Sequence, residues 1–273
     1  MLSVALALQC MAFALAALAR ADDCARERLK MAAEADVRAG RGTTWYEHIQ
    51  KAGGHAVCEL YNLFGEARPC VSVRRCGPLH NGRCGDSRAD EALNALRNAT
   101  AARSFLRDRG ASFYGHEFGA LPHAPEPGIM AYVAVVREPR AWSASWRRRF
   151  RSRDATSFAE QLGAWRVPGA HAPPEALLAA AKQFVDACSV AFALDDPADD
   201  DGGFAVLGWG RRDPAALRFA MARNANRTRA SNARLVADDS GDSASDLDAE
   251  IYEYARSHGT RQRERRIACG LGS

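Results

Sequence analysis

The chain has 273 residues, 47% of them hydrophobic and 26% charged, which excludes a disordered, collagenous or polytopic membrane protein and fits one compact domain of catalytic size. A formal net charge of +4 is too small to indicate a nucleic-acid partner. Of the 37 Lys and Arg residues only three are lysines, Lys30, Lys51 and Lys182, so the cationic groups are almost all guanidinium groups, which grip phosphate, sulfate and carboxylate in a bidentate manner.

Residues 2 to 19 (LSVALALQCMAFALAALA) are uncharged and mostly apolar, and Ala19, Arg20 and Ala21 follow them in a small-x-small pattern. As a helix this run is about 27 Å long, somewhat short of a bilayer core, which favours a cleaved signal peptide over a membrane anchor, with a buried helix as the third reading. The first two readings send the rest of the chain into the secretory pathway, to the Golgi lumen or outside the cell. The expected division is therefore a targeting segment at 1–21, a charged lead at 22–42 and the folded domain at 43–273.

The lead is helix-prone to residue 38. Thr43 to Ile49 reads as a strand that runs into a Gly-containing turn, and a helix follows from His55 to Phe64. Residues 65–88 have loop composition. Helical period returns at 89–108, with Leu93, Leu96 and Phe105 on one stripe, and Ala111 to Tyr114 reads as a short strand. Met130 to Val136 is the clearest buried strand, and Pro139 opens a helix to Phe150 at a position that tolerates proline. Helices are expected at 156–165 and 174–188, a core strand at Phe204 to Leu207, and an amphipathic helix from Asp248 to Ser257 with a basic tail at 261–266. The acidic stretches 195–201 and 238–248 read as solvated loops. This alternation predicts an α/β fold in three layers around a mainly parallel central sheet.

Eight cysteines are present, one of them, Cys10, in the targeting run. Cys70, Cys76 and Cys84 with His80 lack a paired CxxC, so in an oxidising compartment disulfides are favoured there over zinc. Of the remaining Cys24, Cys58, Cys70, Cys76, Cys84, Cys188 and Cys269, an odd number, at least one stays free or pairs between chains. Sequons at Asn98 and Asn226 agree with lumenal exposure.

Two segments carry phosphate-binding chemistry. In WYEHIQKAGGHAVCELYNLF a strand, a glycine turn, Lys51 and a helix N-terminus follow in the order an anion cradle needs. This is not a Walker A loop, since Lys51 precedes Gly53 and Gly54 and no Ser or Thr follows to hold magnesium, which argues against a phosphoryl-transferring kinase. In AYVAVVREPRAWSASWRRRF, Arg137 leaves the carboxyl end of a buried strand, where open α/β sheets bind ligands, and Ser145 lies two turns into the following helix.

Together these segments resemble the PAPS-dependent sulfotransferases of the Golgi carbohydrate group. His48-Ile49-Gln50-Lys51-Ala52-Gly53-Gly54 is similar to that group's 5′-phosphosulfate loop, HIxKTGGT, and Arg137-Glu138-Pro139 with Ser145 to its 3′-phosphate motif. Gly115-His116-Glu117-Phe118-Gly119 resembles its GHxxxG segment, and Asp248 to Tyr254 its late D-x-x-x-Y-x-Y helix. The resemblance runs from about residue 43 to 266. It implies a P-loop-like fold, PAPS as sulfuryl donor without a metal, and an acidic or neutral glycan, or another secretory-pathway molecule, as the acceptor of sulfate on a hydroxyl. It assigns the phosphosulfate to Lys51, Ala52, Gly53, Gly54, His55 and Ala56, and the 3′-phosphate to Arg137 and Ser145. His55 stands where the family has Thr, and Trp142 where it has Arg. Leu60 replaces the histidine that heparan sulfate 6-O-sulfotransferases carry nine residues beyond the lysine, so 6-O specificity is not assigned. Because of the first two departures, a lumenal module that binds PAP or polyanions without turnover is the alternative.

Lys51 is the expected stabiliser of charge on the leaving phosphate. For the base the candidates are His116, His55, Glu59 and Glu117. His116 is preferred, since imidazole with a reference pKa near about 6.5 suits proton transfer at lumenal pH. Arg147, Arg148, Arg149, Arg151 and Arg153 either guide an acidic glycan or serve solubility.

Overall fold

A computed structural model describes residues 2–47, 49, 52, 54–64, 93, 95–116, 122–150, 157–163, 166, 172–197, 203–237 and 245–272. Its centre is a parallel sheet of four strands, β1 (Thr44–Glu47), β2 (Phe113–His116), β3 (Ala131–Val136) and β4 (Val190–Ala193), in the order β2-β1-β3-β4. β3 is apolar throughout, AYVAVV, because both faces of a parallel sheet are covered. In register, Glu47 lies opposite His116 on one side and Ala134 on the other, and Val136 lies opposite Ala193.

Alternation along the strands assigns each side chain to a layer. Trp45, Tyr132, Ala134 and Val136 share one cluster with α3 (Ala99–Asp108), α4 (Pro139–Phe150), α5 (Phe158–Gly163), α6 (Pro174–Ala187) and α8 (Asp246–Arg256). Tyr46, Phe113, Val133, Val135 and Phe192 share the other with α2 (Gly54–Phe64), a 3₁₀ turn at Phe204–Leu207 and α7 (Pro214–Ala237). The architecture is thus the three-layer α/β arrangement expected from the sequence.

Helix starts follow the local chemistry. Pro139 takes the first position of α4. Asn98 caps α3, its side chain accepting from the Ala101 amide at 2.7 Å, so this helix begins at Ala99, after Leu93 and Leu96. Ser157 and Glu160 form a reciprocal capping box at α5, with bonds of 3.0 and 2.7 Å.

Several expectations are corrected. Phe204–Leu207 is a 3₁₀ turn between Gly203 and Gly208, at φ of 79° and 80°, and not a strand; Phe204 and Leu207, three residues apart, bury on one side. The fourth strand is instead VAFA at 190–193, directly after α6. Asp195 and Asp248, read as parts of solvated loops, are buried. The basic tail is a helix, α9 (His258–Ala268), packed against the lead.

The lead belongs to a continuous helix, α1 (Leu2–Arg38). Its Glu27, Lys30 and Glu34 recur at helical spacing on one stripe and are buried. Lys30 Nζ is 2.7 Å from Glu27 and donates to the Asp186 carbonyl at 3.0 Å, while Arg266 donates to Glu34 at 2.6 Å. A disulfide joins Cys24 to Cys269, with Cα atoms 5.4 Å apart. Cys58 is also disulfide-bonded, and Cys188 is a free buried thiol whose pKa burial pushes up. Cys70, Cys76 and Cys84 lie outside the described residues. Among the described residues no helix is long and apolar enough to cross a membrane.

Candidate functional site

Parallel α/β sheets present ligand sites at the carboxyl ends of their strands, where successive connections leave in opposite directions. In the order β2-β1-β3-β4 the chain departs from β1 toward β2 and from β3 toward β4. α2, which follows β1, packs on the Tyr46 face, whereas α4, which follows β3, packs on the Trp45 face. The switch point is therefore the crevice between β1 and β3. The segment 48–54 connects the end of β1 to α2, and Arg137 is the first residue beyond β3.

In the first segment Ala52 is buried, and its amide donates to the Ile49 carbonyl at 3.1 Å in a tight turn. Gly54 and His55 open α2, whose first four amides have no acceptor within the helix, and Ala56 packs half-buried against the core. Lys51, Gly53 and the His55 side chain lie outside the described residues.

In the second segment Arg137 is only 9% exposed. Its Nε donates to Asn232 Oδ1 at 2.6 Å, and a terminal nitrogen donates to Ser231 Oγ at 3.2 Å, both on α7. Asn232 Nδ2 in turn donates to Asp195 at 3.1 Å, and the same carboxylate accepts from the Glu138 amide and the Tyr252 hydroxyl, each at 3.3 Å. Burial pulls the Arg137 guanidinium below its ordinary pKa, against the opposing pull of Asp195 and Glu138. Burial likewise raises the Asp195 pKa above its ordinary value. Asn232 and Ser231 are neutral, and the carboxylate of Asp195 lies one hydrogen bond beyond Asn232.

The N-terminus of α4 is otherwise engaged. The Glu138 carboxylate accepts from the amides of Arg140 and Ala141 at 3.0 and 2.7 Å and matches the positive helix end. Ser145 is half-buried, two turns along α4. Arg147 donates to Ser143 at 2.8 Å, and Arg148 and Arg149 are exposed. Arg151 and Arg153 lie outside the described residues.

Beside this crevice stands a pair that sequence reasoning found only half of. Glu47 and His116, the last residues of β1 and β2, are register partners, both buried. His116 Nδ1 lies 2.9 and 3.0 Å from the two carboxylate oxygens of Glu47, and the Trp45 indole donates to Glu47 Oε2 at 3.1 Å. On the same face His123 packs edge-on against Trp45, with ring centroids 4.9 Å apart, and its Nδ1 donates to the Ala124 carbonyl at 2.9 Å. Burial lowers the His123 pKa. The sequence signal for Glu47 was an acidic residue ending a buried strand next to the lysine loop.

Glu59, on α2 at the Tyr46 side of the sheet, has a side chain 45% exposed and pairs with Arg223 of α7 at 3.5 Å. Glu117 lies outside the described residues. The late helix that resembles D-x-x-x-Y-x-Y has bracing roles. Asp248 accepts from the Phe158 amide at 2.6 Å, Tyr252 donates to Asp195, and Tyr254 donates to Asp186 at 2.8 Å. Among the described residues no group of three His, Cys, Asp or Glu is placed to hold a metal ion.

No family model, curated protein or solved structure matches the chain.

Proposed function

We propose that the protein is a sulfotransferase that moves a sulfuryl group from PAPS to a hydroxyl of a glycan or another secretory-pathway acceptor. The observation that carries this reading is topological: the two segments resembling a phosphosulfate loop and a 3′-phosphate motif depart from adjacent parallel strands, β1 and β3, on either side of one switch point. A buried histidine–carboxylate pair adjoins them on β2 and β1. The desolvated Arg137, with neutral partners on α7, suits a phosphate at the same place.

When bound, PAPS supplies the sulfuryl group and a leaving phosphate. Amides at the start of α2 would hold the 5′-phosphate, and Lys51 would neutralise negative charge on it. Arg137 and Ser145 hold the 3′-phosphate. His116 takes the proton of the acceptor hydroxyl as its oxygen bonds to sulfur, and later releases that proton to water. Lys51 and His116 thus act on opposite ends of the displacement.

Calorimetric titration with PAP, together with transfer of labelled sulfate from PAPS across a panel of acidic and neutral glycans, tests the assignment. Micromolar PAP binding with labelled product is the expected result. Binding without product on any acceptor would favour a PAP-binding module, and absence of PAP binding would overturn the reading.

A further inference from the structure

We infer that Glu47 is a positioning residue: it holds His116 in the tautomer with the proton on Nδ1, so that Nε2 is the atom that accepts a proton in the site. This rests on the sulfotransferase reading only for the identity of the proton donor.

The argument begins with register. Parallel pairing sets Glu47 opposite His116 at the last position of both strands, and side-chain alternation puts both on the face that carries Trp45 and Tyr114. Both side chains are almost fully enclosed, at 3% and 1% exposure, so their partnership is not dissolved by water. An ionised carboxylate only accepts, and Nδ1 lies within bonding distance of both its oxygens; Nδ1 therefore carries a hydrogen. A neutral imidazole has one N–H, so the lone pair resides on Nε2.

Trp45 adds the second constraint. Its indole can only donate, and its bond to Oε2 supports the ionised form of Glu47 and fixes the plane of the carboxylate. Three residues from two adjacent strands thus determine the direction in which the imidazole faces. When Nε2 takes a proton, the resulting imidazolium is paired at once with Glu47. The proton that arrives is the one the acceptor hydroxyl loses as its oxygen bonds to sulfur.

Among the described residues the other ionisable groups near this pair are few. His123 faces it across Trp45 and is kept neutral by burial. Glu126 acts on His123, and Cys188, a thiol whose pKa burial raises, feels Glu47 from β4's side of the sheet. Glu47 is the described carboxylate within bonding distance of the His116 ring, through both of its oxygens.

The test uses the full-length protein with ¹⁵N-labelled imidazoles, the isosteric variant Glu47→Gln and the shorter carboxylate Glu47→Asp. In the wild type, neutral His116 should show a protonated Nδ1 and an unprotonated Nε2. In Glu47→Gln the ring should titrate at least one pH unit lower. For turnover, kcat should fall about 30-fold or more with the acid limb of its pH profile moved by the same amount, while KM for PAPS and PAP affinity stay within about twofold; Glu47→Asp should recover part of kcat. A wild-type ring protonated on Nε2 instead, or a titration unchanged in Glu47→Gln, overturns the inference, and the first of these needs no variant to fold. An expected tautomer and titration in a protein that transfers no sulfate would overturn the sulfotransferase reading and leave the pairing standing. Shifted titration with unchanged kcat in an active enzyme would remove Glu47 as a positioning residue.

Discussion

Arg137 and Asn232 are 95 residues apart in sequence and bonded at 2.6 Å, which ties the carboxyl end of β3 to α7. The guanidinium proposed to hold the 3′-phosphate is thereby a structural anchor. Arg137→Ala should raise the PAPS KM strongly and also cost about 1–3 kcal/mol of stability, because the buried Asn232 oxygen loses its donor. Arg137→Lys keeps the charge without the fork, so it should recover part of the phosphate affinity and less of the stability. Asn232→Ala is the informative companion. It leaves the segments after β1 and β3 unchanged in sequence, yet it should weaken PAP binding by removing one of the bonds that hold the Arg137 side chain. Urea titration alongside PAP calorimetry separates the two effects, and unchanged PAP affinity in Asn232→Ala would show that Arg137 needs no support from Asn232.

Lys51 should act on the rate more than on binding, since charge on the leaving phosphate grows only as the bond to sulfur breaks. Lys51→Ala is expected to lower kcat by about 100-fold, equivalent to about 2.7 kcal/mol of charge stabilisation, with a smaller change in PAP affinity. Steady-state kinetics in labelled PAPS checks this. Equal, additive KM effects from Lys51→Ala and Arg137→Ala would show that the two roles are misassigned.

What was legible in the sequence was the part written in local patterns. AYVAVV could only be a strand covered on both faces, and Pro139 at its exit could only begin a helix, so the frame around Arg137 was readable. VAFA at 190–193 was not, because four apolar residues between a helix that ends at 188 and an acidic run that starts at 195 are too few to show a period of two. FAVL was misread for the complementary reason: its apolar run matched a strand, and the positive φ of Gly203 and Gly208 that curls it is a backbone choice no pattern states. Asp195 was hidden by its neighbours, since one buried carboxylate at the head of an acidic run is masked by the charge of the run. Glu47 and His116 required more still. Their pairing spans 69 residues and exists only in the register that sets β1 beside β2.

The disulfide between Cys24 and Cys269 joins residues 245 apart and holds α1 against the end of α9. Cleavage after Ala21, as expected of a signal peptide, would leave that bond and the Glu27, Lys30 and Glu34 stripe in place. Cys269→Ser should cost about 2–5 kcal/mol by restoring freedom to the unfolded chain. At about 2–4 °C per kcal/mol for a chain of this size, Tm should fall by about 10 °C. Calorimetry on the variant reads this bond alone, and reduced wild type, which also loses the Cys58 disulfide, should fall at least as far. A Tm unmoved by either treatment would mean that the buried ion pairs of Lys30 and Arg266 hold α1 by themselves.

The same helix interface should make stability depend on pH. His258, at 1% exposure, opens α9 with Nε2 unpartnered among the described residues. Burial first, and then the positive charges of Lys30, Arg265 and Arg261, depress its pKa well below 6.5. In the unfolded chain the ring is solvated and titrates near about 6.5. As pH falls below that value the unfolded state takes up a proton that the native state refuses, so stability is full above pH 6.5 and declines toward acid. Each such histidine contributes a slope of up to about 1.4 kcal/mol per pH unit, and His123, also lowered by burial, adds to it. Glu34 and Asp195, raised by burial, act in the opposite sense and flatten the curve at the acid end. Urea unfolding at pH 8, 7, 6 and 5.5 should therefore show a midpoint that holds between the first two and drops over the last two. In His258→Gln the drop should shrink by about 1.4 kcal/mol per pH unit or less. A variant with the wild-type slope would mean that His258 takes up its proton within the folded protein.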